Sequence, residues 1–347
     1  MGVIKYASKW DLAKQTWTEP TKASKPRSFG VATHMSDYDI IKNSKDRGIN
    51  YIFVCYGTRI EDSSKDSKKL SNNTYYINKM VKFFKENSEN NYVIRFVMLD
   101  ADAPLIEDAR KLAGFIDELA KRKDTSSINI IGHSKCGAMN MYIPSFYKNP
   151  KSLELTNLYN ISTPYVGTLI ASPLIFYPEV KKLVVTRFGE NKLSDSIYES
   201  LIKFYESICS NSHMDYDIAK KDGVPEEKSD KYDKYFVQGM FSKENIEAIN
   251  KVGGFYNFTT KFSKDTIPEA LSKADYTTVG LNLLDKWFFN CESDGFVKTY
   301  EQRIVEEHLD VSSVNLSASH FLYNNDEYKK VFECINNTVQ NSFQRTR

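Results

Sequence analysis

Among the residues whose types and spacing could do chemistry, the sharpest pattern is Ile130-Ile-Gly-His-Ser-Lys-Cys-Gly-Ala. An apolar, β-branched run, Ser127-Ile-Asn-Ile-Ile-Gly, leads into a short turn bearing Ser134, and a helical pattern resumes at Ala138. A serine nucleophile needs this strand–turn–helix context. The tight turn strains the serine, exposes its hydroxyl and leaves room only for small neighbours at two flanking positions. Gly132 supplies one of them. Cys136 supplies the other, where glycine is commoner, and Gly137 follows as a candidate for close helix approach. The plainer reading is a strand-to-helix turn with a capping serine. A serine hydroxyl also needs a base, and the chain offers five histidines: His34, His133, His213, His308 and His320.

The elements that must hold these side chains alternate between strand and helix. Asn50-Tyr-Ile-Phe-Val-Cys-Tyr and Tyr92-Val-Ile-Arg-Phe-Val-Met-Leu are short apolar runs that read as buried strands, joined by Ser127–Gly132 and Leu158–Ser162. Helical spacing predicts helices over 73–87, over 106–122 (with Leu112, Phe115, Ile116 and Leu119 on one face) and over 138–147. Fully apolar strands alternating with amphipathic helices predict an α/β fold with a mostly parallel sheet covered on both faces. Past Thr168 the rhythm becomes helical, at 194–209 and 242–252, around a charged stretch near 220–235. Strand character returns at Gly254-Phe-Tyr-Asn-Phe-Thr-Thr-Lys-Phe. The expected organisation is an N-terminal arm over 1–47 with a strand near 28–33, a core over 48–168 and 251–347, and a helical cap or lid inserted over 169–250.

At the Gly132–Gly137 turn the chain resembles the α/β-hydrolase superfamily, and within it bacterial lipases and esterases. Three further segments are similar to family motifs. Phe53-Val-Cys-Tyr-Gly-Thr resembles the loop that donates one oxyanion-hole amide, with Tyr56 where histidine is usual. Ile161-Ser-Thr-Pro-Tyr-Val-Gly-Thr resembles a segment after the elbow helix, with Tyr165 in place of histidine, and is read as a fold marker. Glu292-Ser-Asp-Gly-Phe-Val resembles the segment whose aspartate orients the catalytic histidine, although Asp294-Gly is also a generic turn signal.

The resemblance implies the chain order Ser, acid, His. It sets aside His34, His133 and His213, leaving His320, in Asn315-Leu-Ser-Ala-Ser-His-Phe-Leu-Tyr ahead of a final helix over 326–339, with His308 in a charged stretch as the alternative. The implied site is Ser134 as nucleophile, His320 as base, Asp294 as its partner, and the backbone N–H groups of Thr58 and Lys135 as the oxyanion hole. The implied substrate is a small-molecule or lipid ester. Three activities stay open: ester hydrolysis, acyl transfer or thioester cleavage on the same triad, and binding by a catalytically silent hydrolase fold. No cofactor and no metal are expected. Some bacterial lipases carry a structural calcium on an aspartate two residues past the histidine, but Leu322 stands there.

Bulk composition narrows the remaining classes. Lys plus Arg number 47 against 45 Asp plus Glu, so the formal charge of +2 gives no reason to expect a nucleic-acid partner. Five scattered cysteines without a CxxC argue against a disulfide framework or a structural zinc, and for a reducing compartment. The first residues carry charge too early for a signal peptide, so a cytoplasmic location is expected, with a secreted mature form left open. Leu169–Pro178 and Asp285–Phe289 are apolar. They suit ordinary core, an acyl pocket or a transient contact with a membrane surface.

Overall fold

A computed structural model describes residues 9–11, 16–18, 29–31, 38–42, 48–55, 67–99, 104–168, 172–209, 239–263, 267–268, 276–288, 290–320 and 325–345. Its centre is an eight-stranded sheet. The strands are β3 (Gly30–Val31), β4 (Asp39–Ile40), β5 (Ile49–Cys55), β6 (Asn91–Met98), β7 (Thr125–His133), β8 (Thr156–Ile161), β9 (Gly254–Lys261) and β10 (Ser312–Ser317), after a separate hairpin of β1 (Lys9–Asp11) and β2 (Thr16–Thr18). The order across the sheet is β10-β9-β8-β7-β5-β6-β3, with β4 also on β6. From β5 to β10 every pairing is parallel, while β3 and β4 run antiparallel along β6.

Strand β5 shows why the sheet is covered on both sides. Successive side chains point to opposite faces. Tyr51, Phe53 and Cys55 enter one apolar layer, with Leu112 and Ile116 of α2 (Leu105–Ala120) and Met139 of α3 (Lys135–Asn140). Ile52 and Val54 enter the other, with Ile77, Met80 and Phe84 of α1 (Ser67–Asn87) and Val331, Phe332 and Ile335 of α10 (Asn325–Arg345). The unbroken apolar run from Tyr51 to Cys55 is therefore what this place in the sheet requires.

Three details differ from the sequence expectation. The 138–147 helix is broken: α3 ends at Asn140, and a 3-10 turn follows at Ile143–Phe146, where Pro144 lacks the N–H that a continuing helix needs. A short helix, α4 (Pro150–Leu155), was not anticipated. The segment from Asn315, expected as a loop leading to the final helix, begins inside strand β10 (Ser312–Ser317). The strand lies at the sheet edge and is half exposed, so it lacks the apolar signature of the inner strands.

Within 169–250 the described helices are α5 (Pro173–Phe188), α6 (Lys192–Cys209) and α7 (Lys243–Ile249). α5 and α6 pack on each other. Ile249 and Ile246 of α7, with Met240 before it, join the apolar layer of α2. The charged stretch 220–235 lies outside the described residues. Further along the chain are α8 (Tyr276–Phe288) and α9 (Thr299–Arg303). Among the described residues no helix is long and apolar enough to cross a membrane.

The chain steps from β5 to β6, then back over β5 to β7 and onward through β8 to β10. The reversal falls between β5 and β7, and the space beyond the carboxyl ends of such strands is where sheets of this kind bind ligands. With an antiparallel edge, a parallel body, helices on both faces and a strand–turn–helix at β7–α3, this is the α/β-hydrolase fold.

Candidate active site

Ser134 closes β7 and caps α3 with φ 57° and ψ −126°, a left-handed conformation rarely tolerated by side-chain-bearing residues. Close packing holds it there. Its N–H donates to the Ile161 carbonyl of β8 at 2.8 Å, and its own carbonyl accepts from the Gly137 N–H at 2.9 Å. A Cβ on Gly132 would lie 2.5 Å from the Asn140 side chain and 2.6 Å from the Cys136 carbonyl oxygen. A Cβ on Gly137 would lie 1.8 Å from Thr163 Oγ1. Both glycines are steric requirements of the turn, and Cys136 is fully buried beside them.

The structure brings Ser134, His320 and Asp294 together. His320 Nε2 is 3.0 Å from Ser134 Oγ, and His320 Nδ1 is 2.9 Å from Asp294 Oδ2. An ionised carboxylate only accepts, so Nδ1 carries the proton and Nε2 presents its lone pair to the serine hydroxyl. All three are buried, Ser134 being 8% exposed. Phe296 stacks on the imidazole with ring centroids 5.0 Å apart. His308, the alternative base, is exposed and stacks on Phe241.

Asp294 sits in a tight turn where Gly295 adopts φ 98°. Its Oδ1 accepts the N–H groups of Phe296 at 3.0 Å and Val297 at 2.8 Å. Its Oδ2 accepts Thr260 Oγ1 at 2.6 Å, besides His320. Burial pushes the Asp294 carboxyl up, but His320, then Thr260 and the Val297 N–H, outweigh it and hold the group below the ordinary carboxylate range. The Asp294 carbonyl accepts the His320 N–H at 2.9 Å, so backbone and side chain fasten the same pair.

His133 ties the two sides of the site together. Its Nε2 lies 2.5 Å from the His320 carbonyl, which only accepts, so Nε2 carries the proton. Burial, and then the neighbouring His320, push His133 down to about 3, which keeps it neutral.

Of the expected oxyanion donors, Lys135 follows Ser134 and opens α3, where backbone N–H groups lack carbonyls one turn back. Thr58, with Tyr56 and Gly57, lies outside the described residues. Tyr165 is fully buried. Its hydroxyl donates to Asn257 Oδ1 at 3.0 Å and accepts from Asn160 Nδ2 at 3.1 Å, a role in the frame.

Sequence reasoning missed Thr260, Gln302, Ser162 and Phe296. Three of the four belong to strand ends or to the Asp294 turn, since Thr260 lies near the carboxyl end of β9 and Ser162 just past β8. Polar residues ending otherwise apolar strands were the available signal. Gln302, on α9, carried no such mark.

No protein-family model matches the chain, and no curated protein matches it. Solved structures similar to it include the lipase BlEst2 of Bacillus licheniformis in mature form, 14% identical, covering 90% of this chain and 99% of that one, with a TM-score of 0.47. Est1E from Butyrivibrio proteoclasticus is 11% identical, covering 91% and 95%, with a TM-score of 0.43. A meta-cleavage product hydrolase from Pseudomonas fluorescens IP01 is 10% identical, covering 92% and 95%, also with a TM-score of 0.43.

Proposed function

We propose that the protein is a serine hydrolase that cleaves a carboxylic ester, preferably a lipid-like one. The observation that carries this reading is the continuous buried line from Ser134 Oγ through His320 to Asp294. His320 Nε2 takes the Ser134 proton as Oγ attacks the ester carbonyl carbon, and the carbonyl electrons move to oxygen. The amides of Lys135 and Thr58 receive that oxyanion, each donor being worth about 3 kcal/mol of barrier. The imidazolium, stabilised by Asp294, protonates the departing alkoxide. Water then attacks the acyl-enzyme while His320 takes its proton and returns it to Ser134.

The lipid preference is supported by the corner between α5 and α6. Phe188 and Leu193 are 43% and 62% exposed there, two of the few large apolar side chains so placed among the described residues. The corner is closed by Asn191. Asn191 Nδ2 donates to the Phe188 carbonyl, and Asn191 Oδ1 accepts the N–H groups of Leu193 and Ser194. Over 181–195 the chain carries Lys181, Lys182, Arg187 and Lys192 against Glu190 and Asp195, an excess of positive charge that suits an anionic lipid surface.

A fluorophosphonate probe tests the nucleophile: wild type labels and Ser134→Ala does not. A well-folded wild type that stays unlabelled would favour the silent binding fold. Ester turnover is expected to vanish in His320→Ala and to persist in His308→Ala. Phe188→Ser with Leu193→Ser is expected to slow hydrolysis of esters in anionic vesicles while sparing a soluble short-chain ester. Equal loss on both would remove the surface contact.

A further inference from the structure

We propose that Thr260 is a positioning residue that tempers the Asp294 carboxylate and so sets how strongly His320 holds a proton. The inference rests on the reading of Ser134, His320 and Asp294 as a working triad. Thr260 is fully buried near the carboxyl end of β9, between β8 and β10. Its hydroxyl lies 2.6 Å from Asp294 Oδ2, the same oxygen that His320 Nδ1 approaches at 2.9 Å.

The direction of the Thr260 proton follows from its neighbours. Asp294, ionised, only accepts. Gln302 Oε1, at 3.1 Å from the hydroxyl, already accepts the Thr260 backbone N–H at 2.7 Å. Ser162 Oγ, at 2.6 Å, has a proton of its own to give. The arrangement that satisfies every group runs Ser162 to Thr260 to Asp294. Gln302 fixes Thr260 on both sides, since its Nε2 also donates to the Thr260 carbonyl at 3.0 Å.

A donor on Oδ2 draws off part of the negative charge that His320 would otherwise meet on that oxygen. Without the Thr260 hydroxyl, His320 holds its proton more tightly, and the free base appears only at higher pH. Other ionisable groups face the pair from each side: His133 from β7, Asp285 from α8, and Lys298 and Glu301 from α9 and its cap. None of them changes between Thr260 variants.

The test is the pH profile of kcat/KM on a soluble ester for wild type, Thr260→Val, Thr260→Ser and Ser162→Ala, with fluorophosphonate labelling rate as a second readout. Thr260→Val is expected to move the acid limb up by about 0.5–1 pH unit, the fraction of a charged hydrogen bond transmitted to the imidazole. Ser162→Ala is expected to move it up by less, and Thr260→Ser to restore the wild-type limb. Rates are referred to the folded fraction read by circular dichroism at each pH, so partial unfolding of Thr260→Val leaves the limb readable. A limb that stays put or falls in Thr260→Val, or moves alike in Thr260→Val and Thr260→Ser, overturns the inference while leaving the triad. A wild type that neither labels nor turns over ester removes the triad reading, and this inference with it.

Discussion

Ser134 and the His320–Asp294 pair are held by different kinds of force. Around Ser134 the work is done by backbone and absent side chains. A left-handed serine is locked by two main-chain hydrogen bonds, and Gly132 and Gly137 allow β7, α3 and Thr163 to approach where no Cβ fits. Around Asp294 and His320 it is done by side-chain hydrogen bonds between distant segments: Thr260 from β9, Gln302 from α9, and Asn282 of α8, whose Nδ2 donates to the Ser293 carbonyl at 3.0 Å. Steric fit tolerates almost no substitution. A hydrogen-bonded cradle loses its members one at a time.

The contrast is broken most severely at the glycines. Gly132→Ala drives a methyl against the Cys136 backbone, which cannot swing aside, so the turn must open. Expected is a stability loss of about 3 kcal/mol or more, read by urea midpoint, with labelling of Ser134 lost even in the folded fraction. Gly137→Ala should behave alike. Next comes Asp294→Asn. It keeps the volume but offers His320 an amide in place of a carboxylate, and turnover should fall on the order of 10⁴-fold by the loss of tautomer control and charge. Gln302→Leu, from the same cradle, removes the clamp on Thr260 and leaves the triad atoms present. Its expected cost is roughly tenfold in kcat with KM little changed, since Gln302 Nε2 also lies 3.4 Å from Asp294 Oδ2 and donates to the Val297 carbonyl at 3.1 Å. A Gln302→Leu as damaging as Gly132→Ala would mean that the two halves are not held differently.

The same contrast explains what the sequence disclosed. A steric device leaves a local mark. Gly132-His-Ser-Lys-Cys-Gly137 after an apolar strand is contiguous, so the elbow and the parallel sheet were legible from spacing. Asp294 and His320 were legible only through chain order and a turn signal, because nothing in Ser-Asp-Gly or Ser-His-Phe distinguishes a catalytic group from an ordinary loop. The cradle was not legible. Thr260, Gln302 and Ser162 lie 34, 8 and 132 positions from Asp294 and meet only through the pairing of β8 with β9 and the packing of α9. Strand β10 was missed for a related reason. An edge strand buries one face and need not be apolar.

The smallest expected effect on turnover, and the finest probe of the comparison, is the pH dependence of stability, because His133 in one half and Asp285 in the other are displaced by burial with opposite consequences for stability. His133, in the nucleophile half, is pushed by burial down to about 3 from an ordinary value near 6.5. Below about pH 6.5 the unfolded chain takes up a proton there that the folded chain refuses, so its contribution is present above that pH and is lost on acidification toward 3. Asp285, in the acid half, is pushed by burial up to about 6. The unfolded chain releases that proton near pH 4, so the contribution of Asp285 is present below that value and is lost as pH rises through 6. Asp285→Asn should therefore raise the melting temperature at pH 8, by the equivalent of about 1–2 kcal/mol, and leave it little changed at pH 4. His133→Gln, which keeps a donor toward the His320 carbonyl, should do the reverse and flatten the loss between pH 6.5 and 4. Curves that shift in parallel for both variants would mean that neither group is held away from its ordinary value by its half of the site.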